Sequence, residues 1–183
     1  EDVSGTIDIT PENLEKLQQE IHFVDDFKDV FLRAVLKNAT AVIELIIAGS
    51  LALESSDVHI EPREDGVTVR FRIDGVLQEV ATLDKKMYAL LNSRIKILSR
   101  LKLNITNAPQ DGRFSITASD KSIEVRTSVL PGPNGESLVM RILNPKTISI
   151  PLEGLGILPH DMELIAKELK RPNGLILVTG PTG

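Results

Sequence analysis

The residue types best suited to chemistry lie at the end of the sequence. The apolar run Leu175 to Thr179 leads directly into Gly180-Pro181-Thr182-Gly183. A buried strand followed by a glycine-rich turn is how a phosphate-binding loop begins, because glycine lets backbone N–H groups wrap the phosphates. A complete loop also has a lysine that reaches the β- and γ-phosphates and a hydroxyl that holds magnesium. Since only the first positions of that pattern are present, these residues on their own favour an ordinary turn.

Three potential metal ligands occupy alternate positions of a short predicted strand: Asp57, His59 and Glu61. Because successive side chains point to opposite faces of a strand, all three would share one face. Two carboxylates and an imidazole at this spacing could bind a metal ion. We favour a packed, hydrogen-bonded structural cluster, because His59 lies between Val58 and Ile60, and we predict no metal site.

The composition is that of a soluble globular protein and argues against nucleic acid as a partner. Of the 183 residues, 42% are hydrophobic and 26% are charged. The formal net charge is -5 at pH 7, whereas a general nucleic-acid binder needs a basic surface. Aromatic residues at 3% leave few rings for base stacking.

The sequence predicts neither a disulfide nor a membrane span. It contains no cysteine, which also excludes a cysteine zinc site and fits a reducing cytoplasmic setting. The most apolar run, Ala41 to Leu53, is too short to cross a bilayer and contains Glu44, so we expect a buried helix. The acidic, polar N-terminus is unlike a secretory signal.

The N-terminal part of the sequence predicts helices. Thr10-Pro11-Glu12 is typical of a helix start, with threonine as the cap and proline in the first turn. A second helix is predicted from about residue 25 to 54, with a break near 38–40 and a weak point at Gly49-Ser50.

Alternation of apolar and polar residues then predicts a meander of strands. The clearest case is residues 67–73, where Val67, Val69 and Phe71 alternate with polar residues. Asp65-Gly66 and Asp74-Gly75 are hairpin turns. Further strands are predicted at 57–61, 76–80, 113–118, 122–130 and 137–143, and a helix at 84–101. This order predicts an α/β fold with helices on one face of a mainly antiparallel sheet.

Five segments and the terminal run occur in an order that is specific to one family. They are Ser56-Asp57-Val58-His59-Ile60-Glu61-Pro62, Val69-Arg70-Phe71-Arg72-Ile73-Asp74-Gly75-Val76-Leu77, Pro109-Gln110-Asp111-Gly112-Arg113, Val125-Arg126-Thr127-Ser128, Val139-Met140-Arg141-Ile142-Leu143 and Gly174 to Gly183. Together they resemble the signature of the type II secretion and type IV pilus assembly ATPases over roughly residues 40–183. In that context the terminal turn is interpreted as the opening of a phosphate loop.

The resemblance implies a division into domains. Residues 1–39 precede the segment that carries the resemblance, and their own pattern predicts an N-terminal helical arm. Residues 40–144 would be a PAS-like domain of the ATPase. Residues 145–183 would contain a linker, rich in proline and glycine, and the truncated start of a RecA-like P-loop domain. That start would consist of a helix at about 161–170 and the strand Leu175 to Thr179.

The resemblance also implies an activity and partners. The complete protein would be a homo-hexamer that hydrolyses ATP with Mg²⁺ and powers pilus assembly or protein secretion. It would be cytoplasmic and peripheral to the inner membrane, where platform or adaptor proteins hold it. This fragment alone would be inactive, because the loop lysine and the magnesium-binding hydroxyl are missing.

In the family, arginines of the first domain close over the nucleotide and reach its γ-phosphate; by motif they fall on Arg126 and Arg141. Arginine is always charged, and its planar fork of donors matches a phosphoryl group. Arg126 lies on the strand face opposite Val125, whereas Arg141 shares its face with Val139, an apolar setting in which a charge needs a partner. Arg113 is a third candidate for phosphate or subunit contact.

The resemblance assigns nucleotide binding to Gly180, Pro181, Thr182 and Gly183. Two alternatives remain at this stage. The first is a non-catalytic docking or regulatory PAS-like module of the same machine, and the second is a small-molecule sensing domain. One departure from the family pattern is Ser137, where a basic residue is common, and it affects a peripheral contact.

Overall fold

A seven-stranded sheet dominates the part of the chain that the computed structural model describes, namely residues 6–9, 11–34, 38–118, 121–143 and 151–180. The chain divides into two compact units, residues 1–144 and 145–183. The elements of the first unit are β1 (Thr6–Ile9), α1 (Pro11–Glu20), α2 (Val24–Arg33), α3 (Ala39–Ala52), β2 (Asp57–Pro62), β3 (Val67–Ile73), β4 (Val76–Leu83), α4 (Lys85–Leu98), β5 (Gln110–Ala118), β6 (Lys121–Gly132) and β7 (Gly135–Leu143). The second unit contains a 3-10 helix (Leu152–Leu155) and α5 (Pro159–Leu169).

The strand order in the sheet is β1-β5-β6-β7-β2-β3-β4. Strands β2 to β7 pair antiparallel, whereas β1 pairs with β5 in parallel. The β3–β4 hairpin turns at Asp74 (φ 49°) and Gly75 (φ 79°), the left-handed region that a tight hairpin turn requires. The predicted α/β fold with a mainly antiparallel sheet is confirmed, and the PAS-like assignment stays a prediction.

The first strand lies in the region for which the sequence predicts only a helical arm. Its register runs from Thr6 opposite Ser115 to Ile9 opposite Ala118. An extended segment beside the outer edge of β5 gains backbone hydrogen bonds there, and four residues are too few to show a strand pattern. Helix α1 then begins at Pro11, as predicted, while the proposed cap Thr10 lies outside the described residues.

Helices α2 and α3 confirm the predicted break in the second helical region. Asn38 caps α3, since its Oδ1 accepts a hydrogen bond from the backbone N–H of Ala41 at 2.9 Å. Asp84 caps α4 in the same way, accepting from the N–H of Met87 at 2.8 Å. Residues 35–37 lie outside the described residues.

The hydrophobic core joins α2, α3 and α4 to one face of the sheet. Phe27 of α2 is fully buried, and its ring centroid lies 5.1 Å from that of Phe71 and 5.8 Å from that of Phe31. A Cβ at Gly49 of α3 would lie 2.2 Å from the Phe27 ring. The sequence predicts a weak point of the helix at Gly49. The structure shows instead that the lack of a side chain at Gly49 leaves room for the Phe27 ring.

The second unit differs from its prediction at one element. Helix α5 forms at Pro159–Leu169, but the expected strand at Leu175 to Thr179 is absent from this described segment. Leu175 and Val178 are 86% and 90% exposed. A strand forms only with a hydrogen-bonded neighbour, and the described residues of this unit provide none. Among all described residues, no helix has the length and hydropathy required to cross a membrane.

Candidate functional site

Three arginines occupy directly opposed positions on neighbouring strands. Arg113 of β5 lies opposite Arg126 of β6, and Arg126 lies opposite Arg141 of β7. The line continues to Asp57 of β2 and then to Arg72 of β3. Because directly opposed residues share a face of the sheet, these five residues form one line across five strands, which we call the arginine row.

The arginine row lies on the open face of the sheet, away from the core. Ile123 and Val125 are 6% and 0% exposed, so the alternation of β6 turns Arg126 to the other face, where 67% of its side chain is exposed. The side chain of Arg141 is 65% exposed. The apolar setting expected for Arg141 is therefore wrong, because the face that it shares with Val139 is open rather than packed.

Asp57 is the counter-ion within the row, between Arg141 and Arg72. Its Oδ1 accepts a hydrogen bond from Nε of Arg141 at 2.9 Å, and its Oδ2 lies 3.2 Å from Nε of Arg72. Ser56 Oγ donates a third contact at 2.9 Å. Burial opposes ionisation of Asp57, but the hydrogen bonds from Arg141 and Ser56 and the positive charges of Arg141 and Arg72 hold its pKa below the usual value. Asp57 is therefore ionised at neutral pH.

Glu124 lies beside the row and is the counter-ion of Arg126 and Arg113. It is the residue two before Arg126 on β6, and its Oε1 accepts a hydrogen bond from Nε of Arg126 at 3.1 Å. Its Oε2 lies 3.8 Å from Nη1 of Arg113. Four arginines and three carboxylates, namely Asp57, Glu124 and Asp111, lie on this part of the surface, so its positive and negative charges nearly balance, whereas the whole chain has a net charge of -5.

The row borders an open depression of about 600 Å³. At its β5 side, Gly112 packs so closely on the end of α4 that a Cβ would lie 2.4 Å from the carbonyl oxygen of Ser99. Asp111, at the rim, accepts a hydrogen bond from Ser128 Oγ and pairs with none of the arginines among the described residues. The depression is thus large enough for a phosphate group, and its charged lining consists of three arginines and three carboxylates.

Of the three potential metal ligands, His59 and Glu61 lie together with Arg70, whereas Asp57 contacts Arg72 and Arg141 instead. Glu61 Oε1 lies 2.5 Å from Nη2 of Arg70 and 3.5 Å from Nδ1 of His59. Burial lowers the pKa of His59, and the positive charge of Arg72 contributes to that shift. No group of three histidine or carboxylate side chains with metal-binding geometry occurs in the described ranges. The cluster ties β2 to β3 beside the arginine row.

A buried ion pair that the sequence does not reveal anchors the hairpin that carries Arg126 and Arg141. Lys96 of α4 and Glu136 of β7 are 2% and 8% exposed, with Nζ 2.5 Å from Oε1. Asn92 donates to Oε2 of Glu136 at 2.8 Å, and the Tyr88 hydroxyl donates to its backbone carbonyl. The partners lie 40 positions apart, so no local pattern could have predicted them.

The predicted nucleotide-loop residues belong to the second unit. Gly180 is the last described residue of that unit, and Pro181, Thr182 and Gly183 lie outside the described residues. The arginines of the first unit are therefore brought together by the sheet, whereas the assignment of the loop rests on its sequence.

Comparison with known proteins gives a consistent result. A model of the family described as type II/IV secretion system protein matches residues 34–183. The chain is similar to "Type II secretion system protein E" of Pseudomonas aeruginosa, with 35% identity over 100% of the chain and 35% of that protein. It is also similar to "Type II secretion system ATPase E" of Vibrio cholerae, with 39% identity over 78% of the chain and 28% of that protein.

The chain thus spans about a third of the length of these curated relatives. Among solved structures, the Legionella pneumophila ATPase DotB has a TM-score of 0.47 and 16% identity, covering 68% of this chain and 34% of DotB.

Proposed function

Because the chain belongs to the type II/IV secretion system protein family, we propose that it is the N-terminal part of a secretion or pilus-assembly ATPase. The active form would be a homo-hexamer that binds ATP and Mg²⁺, and it would be held at the inner membrane by platform or adaptor proteins. It would use the energy of ATP hydrolysis to drive type II secretion or type IV pilus assembly. Residues 40–144 would be PAS-like, and residues 145–183 would begin a RecA-like domain.

The observation that carries this proposal is the register of Arg113, Arg126 and Arg141. Like charges at directly opposed positions of a sheet destabilise it. Glu124 and Asp57 compensate only in part. Among the described residues, Glu124 accepts a hydrogen bond from Arg126 through Nε alone, and Asp57 accepts one from Arg141 through Nε alone. The Nη nitrogens stay available for a bidentate contact to a phosphoryl group, which would complete the charge balance.

The proposed mechanism divides the work between the two units. The backbone of Gly180, Pro181, Thr182 and Gly183 would begin the loop that binds the phosphates. Closure of the first unit would then bring Arg126 and Arg141 to the γ-phosphate, where fixed positive charge stabilises the charge that develops during transfer. Arg113, the most exposed of the three at 76%, would contact either the phosphate or a neighbouring subunit.

The described residues fit ATP and Mg²⁺ to different extents. Arginine forks on the open face of the sheet suit the anionic phosphates of ATP. A magnesium site needs oxygen ligands that lie close together, and no cluster of three acidic or histidine side chains occurs among the described residues. Magnesium would balance the phosphate charge when bound, but the residues that hold it are not assigned to this chain.

The test is steady-state turnover of Mg·ATP by the protein as its gene encodes it, comparing wild type with Arg126→Ala and Arg141→Ala. Loss of at least tenfold in either variant corresponds to about 1.4 kcal/mol of lost transition-state stabilisation. Arg63→Ala is the matched control, because Arg63 is exposed on the β2–β3 loop and lies outside the row. Unchanged turnover in both row variants would contradict the proposal and favour a docking or regulatory module.

A further inference from the structure

The two carboxylates that contact arginines of the row, Asp57 and Glu124, differ in how they are held. Asp57 is 7% exposed and contacts three donors, on Ser56, Arg72 and Arg141. The side chain of Glu124 is 36% exposed, with one hydrogen bond to Arg126 and a longer ion pair to Arg113. Asp57 is therefore built into the sheet, whereas Glu124 is in contact with water.

The position of Glu124 is one that a phosphoryl group could take. Its two oxygens bridge Arg126 and Arg113, at 3.1 and 3.8 Å, across neighbouring strands. A phosphoryl group also presents two oxygens to two donors, but with more negative charge. A phosphoryl group that binds both guanidinium groups through all their donors needs Nε of Arg126 and Nη1 of Arg113, the two nitrogens that Glu124 contacts.

Exposed ion pairs are weak, because water and salt screen them and the side chains lose freedom on pairing. The Glu124 pair is of this kind, and a more highly charged anion can displace it. When a competing group occupies a binding site for part of the time, the apparent affinity for the ligand equals the intrinsic affinity multiplied by the fraction of the protein in which the site is free. The carboxylate would therefore weaken ligand binding without preventing it.

We propose that Glu124 is an internal competitor that occupies Arg126 and Arg113 until a phosphoryl group displaces it, whereas Asp57 is a positioning residue that holds Arg141 in place throughout. This rests on the proposed function, because it assigns roles within the same phosphate-contacting row. The ligand class is the terminal phosphate of a nucleoside triphosphate. On its arrival, Glu124 turns to solvent and Asp57 keeps its contacts.

The experiment measures KM and kcat for Mg·ATP in the protein as its gene encodes it. Glu124→Gln keeps the size of the side chain and removes its charge. We expect KM to fall about two- to fivefold, from the ordinary strength of an exposed ion pair, while kcat changes less than twofold. We expect the opposite effect from Asp57→Asn, namely a raised KM or a lowered kcat, because Arg141 loses the carboxylate that holds it in place.

Asp111→Asn is the matched control for charge alone. It removes one negative charge from the rim of the same depression, but its side chain is bonded to Ser128 rather than to an arginine. We expect its effect on KM to be less than half that of Glu124→Gln. Thermal unfolding of each variant without nucleotide confirms that the protein is folded.

Two results would overturn the competitor role and leave the proposed function standing. In the first, Glu124→Gln leaves KM unchanged or raises it while Arg126→Ala still impairs turnover. In the second, Asp111→Asn lowers KM as much as Glu124→Gln, which would show a general field effect without competition. If Arg126→Ala and Arg141→Ala both leave turnover unchanged, the proposed function fails and the competitor role fails with it.

Discussion

Arg126 of β6 and Arg141 of β7 are directly opposed in the antiparallel register and share the open face of the sheet. Such a pair places two guanidinium groups within reach of one small anion, since directly opposed Cβ atoms are about 5 Å apart. Asp57 on one side and Glu124 on the other offset part of the local repulsion. The arrangement gathers guanidinium groups on one face of a protein that is acidic overall.

Asp57→Asn should destabilise the first unit, because the amide has no charge and only one acceptor oxygen, and its NH2 group faces a donor of Arg141, Arg72 or Ser56. The expected loss is about 1–3 kcal/mol in the free energy of unfolding, the range for a buried hydrogen-bonded group that loses its partner. Urea denaturation at pH 7 measures it. Asp65→Asn, in the exposed β2–β3 loop, is the control, and an equal loss in both variants would contradict the assigned role.

The contribution of Asp57 should also depend on pH. Its pKa is held below the usual value in the folded protein, so its stabilisation is fully present above the unfolded pKa of about 4. The stabilisation is lost as the pH falls through the lowered pKa. The stability difference between wild type and Asp57→Asn should therefore be constant from pH 5 to 7 and shrink below pH 4. Denaturation curves at several pH values test this, and a difference that grows on acidification would be inconsistent with the ion pair.

Local sequence patterns predict which face of the strand Arg126 occupies, but they do not predict the counter-ions of the arginines. The alternation around Val125 correctly turns Arg126 away from the core, and the helix break at Asn38 has a local cap. The contact of Asp57 with Arg141 joins residues 84 positions apart, and only the strand order β7-β2 brings them together. The parallel pairing of β1 with β5 is equally non-local. Because β1 has only four residues, its sequence is too short to show the alternation that predicts a strand.

Gly49→Ala should destabilise the fold, although alanine is the better helix former by about 1 kcal/mol. The added Cβ would lie 2.2 Å from the buried Phe27 ring, and overpacking of a core typically costs about 1–3 kcal/mol. Thermal or urea unfolding measures the net loss. The double variant Gly49→Ala/Phe27→Leu should recover part of it, because the smaller side chain vacates the space. A stabilised single variant would show that the contact is absent.

Lys96→Met should be strongly destabilising, because it leaves Glu136 buried without its charge partner. Breaking a buried pair from one side typically costs about 3–5 kcal/mol, whereas replacing both partners by apolar residues can be neutral. The double variant Lys96→Met/Glu136→Leu should therefore be more stable than Lys96→Met alone. A double-mutant cycle from urea unfolding gives the coupling, and strictly additive losses would argue against a direct interaction.

The central claim is that the arginine row contacts the terminal phosphate of ATP. The most direct measurement is the ratio of dissociation constants for ADP and ATP in the protein as its gene encodes it, for wild type and for Arg126→Ala/Arg141→Ala. If the row contacts the γ-phosphate, the preference for ATP over ADP falls at least tenfold in the double variant, which corresponds to about 1.4 kcal/mol of binding free energy, while ADP binding is retained. An unchanged ratio in a folded double variant would contradict the claim.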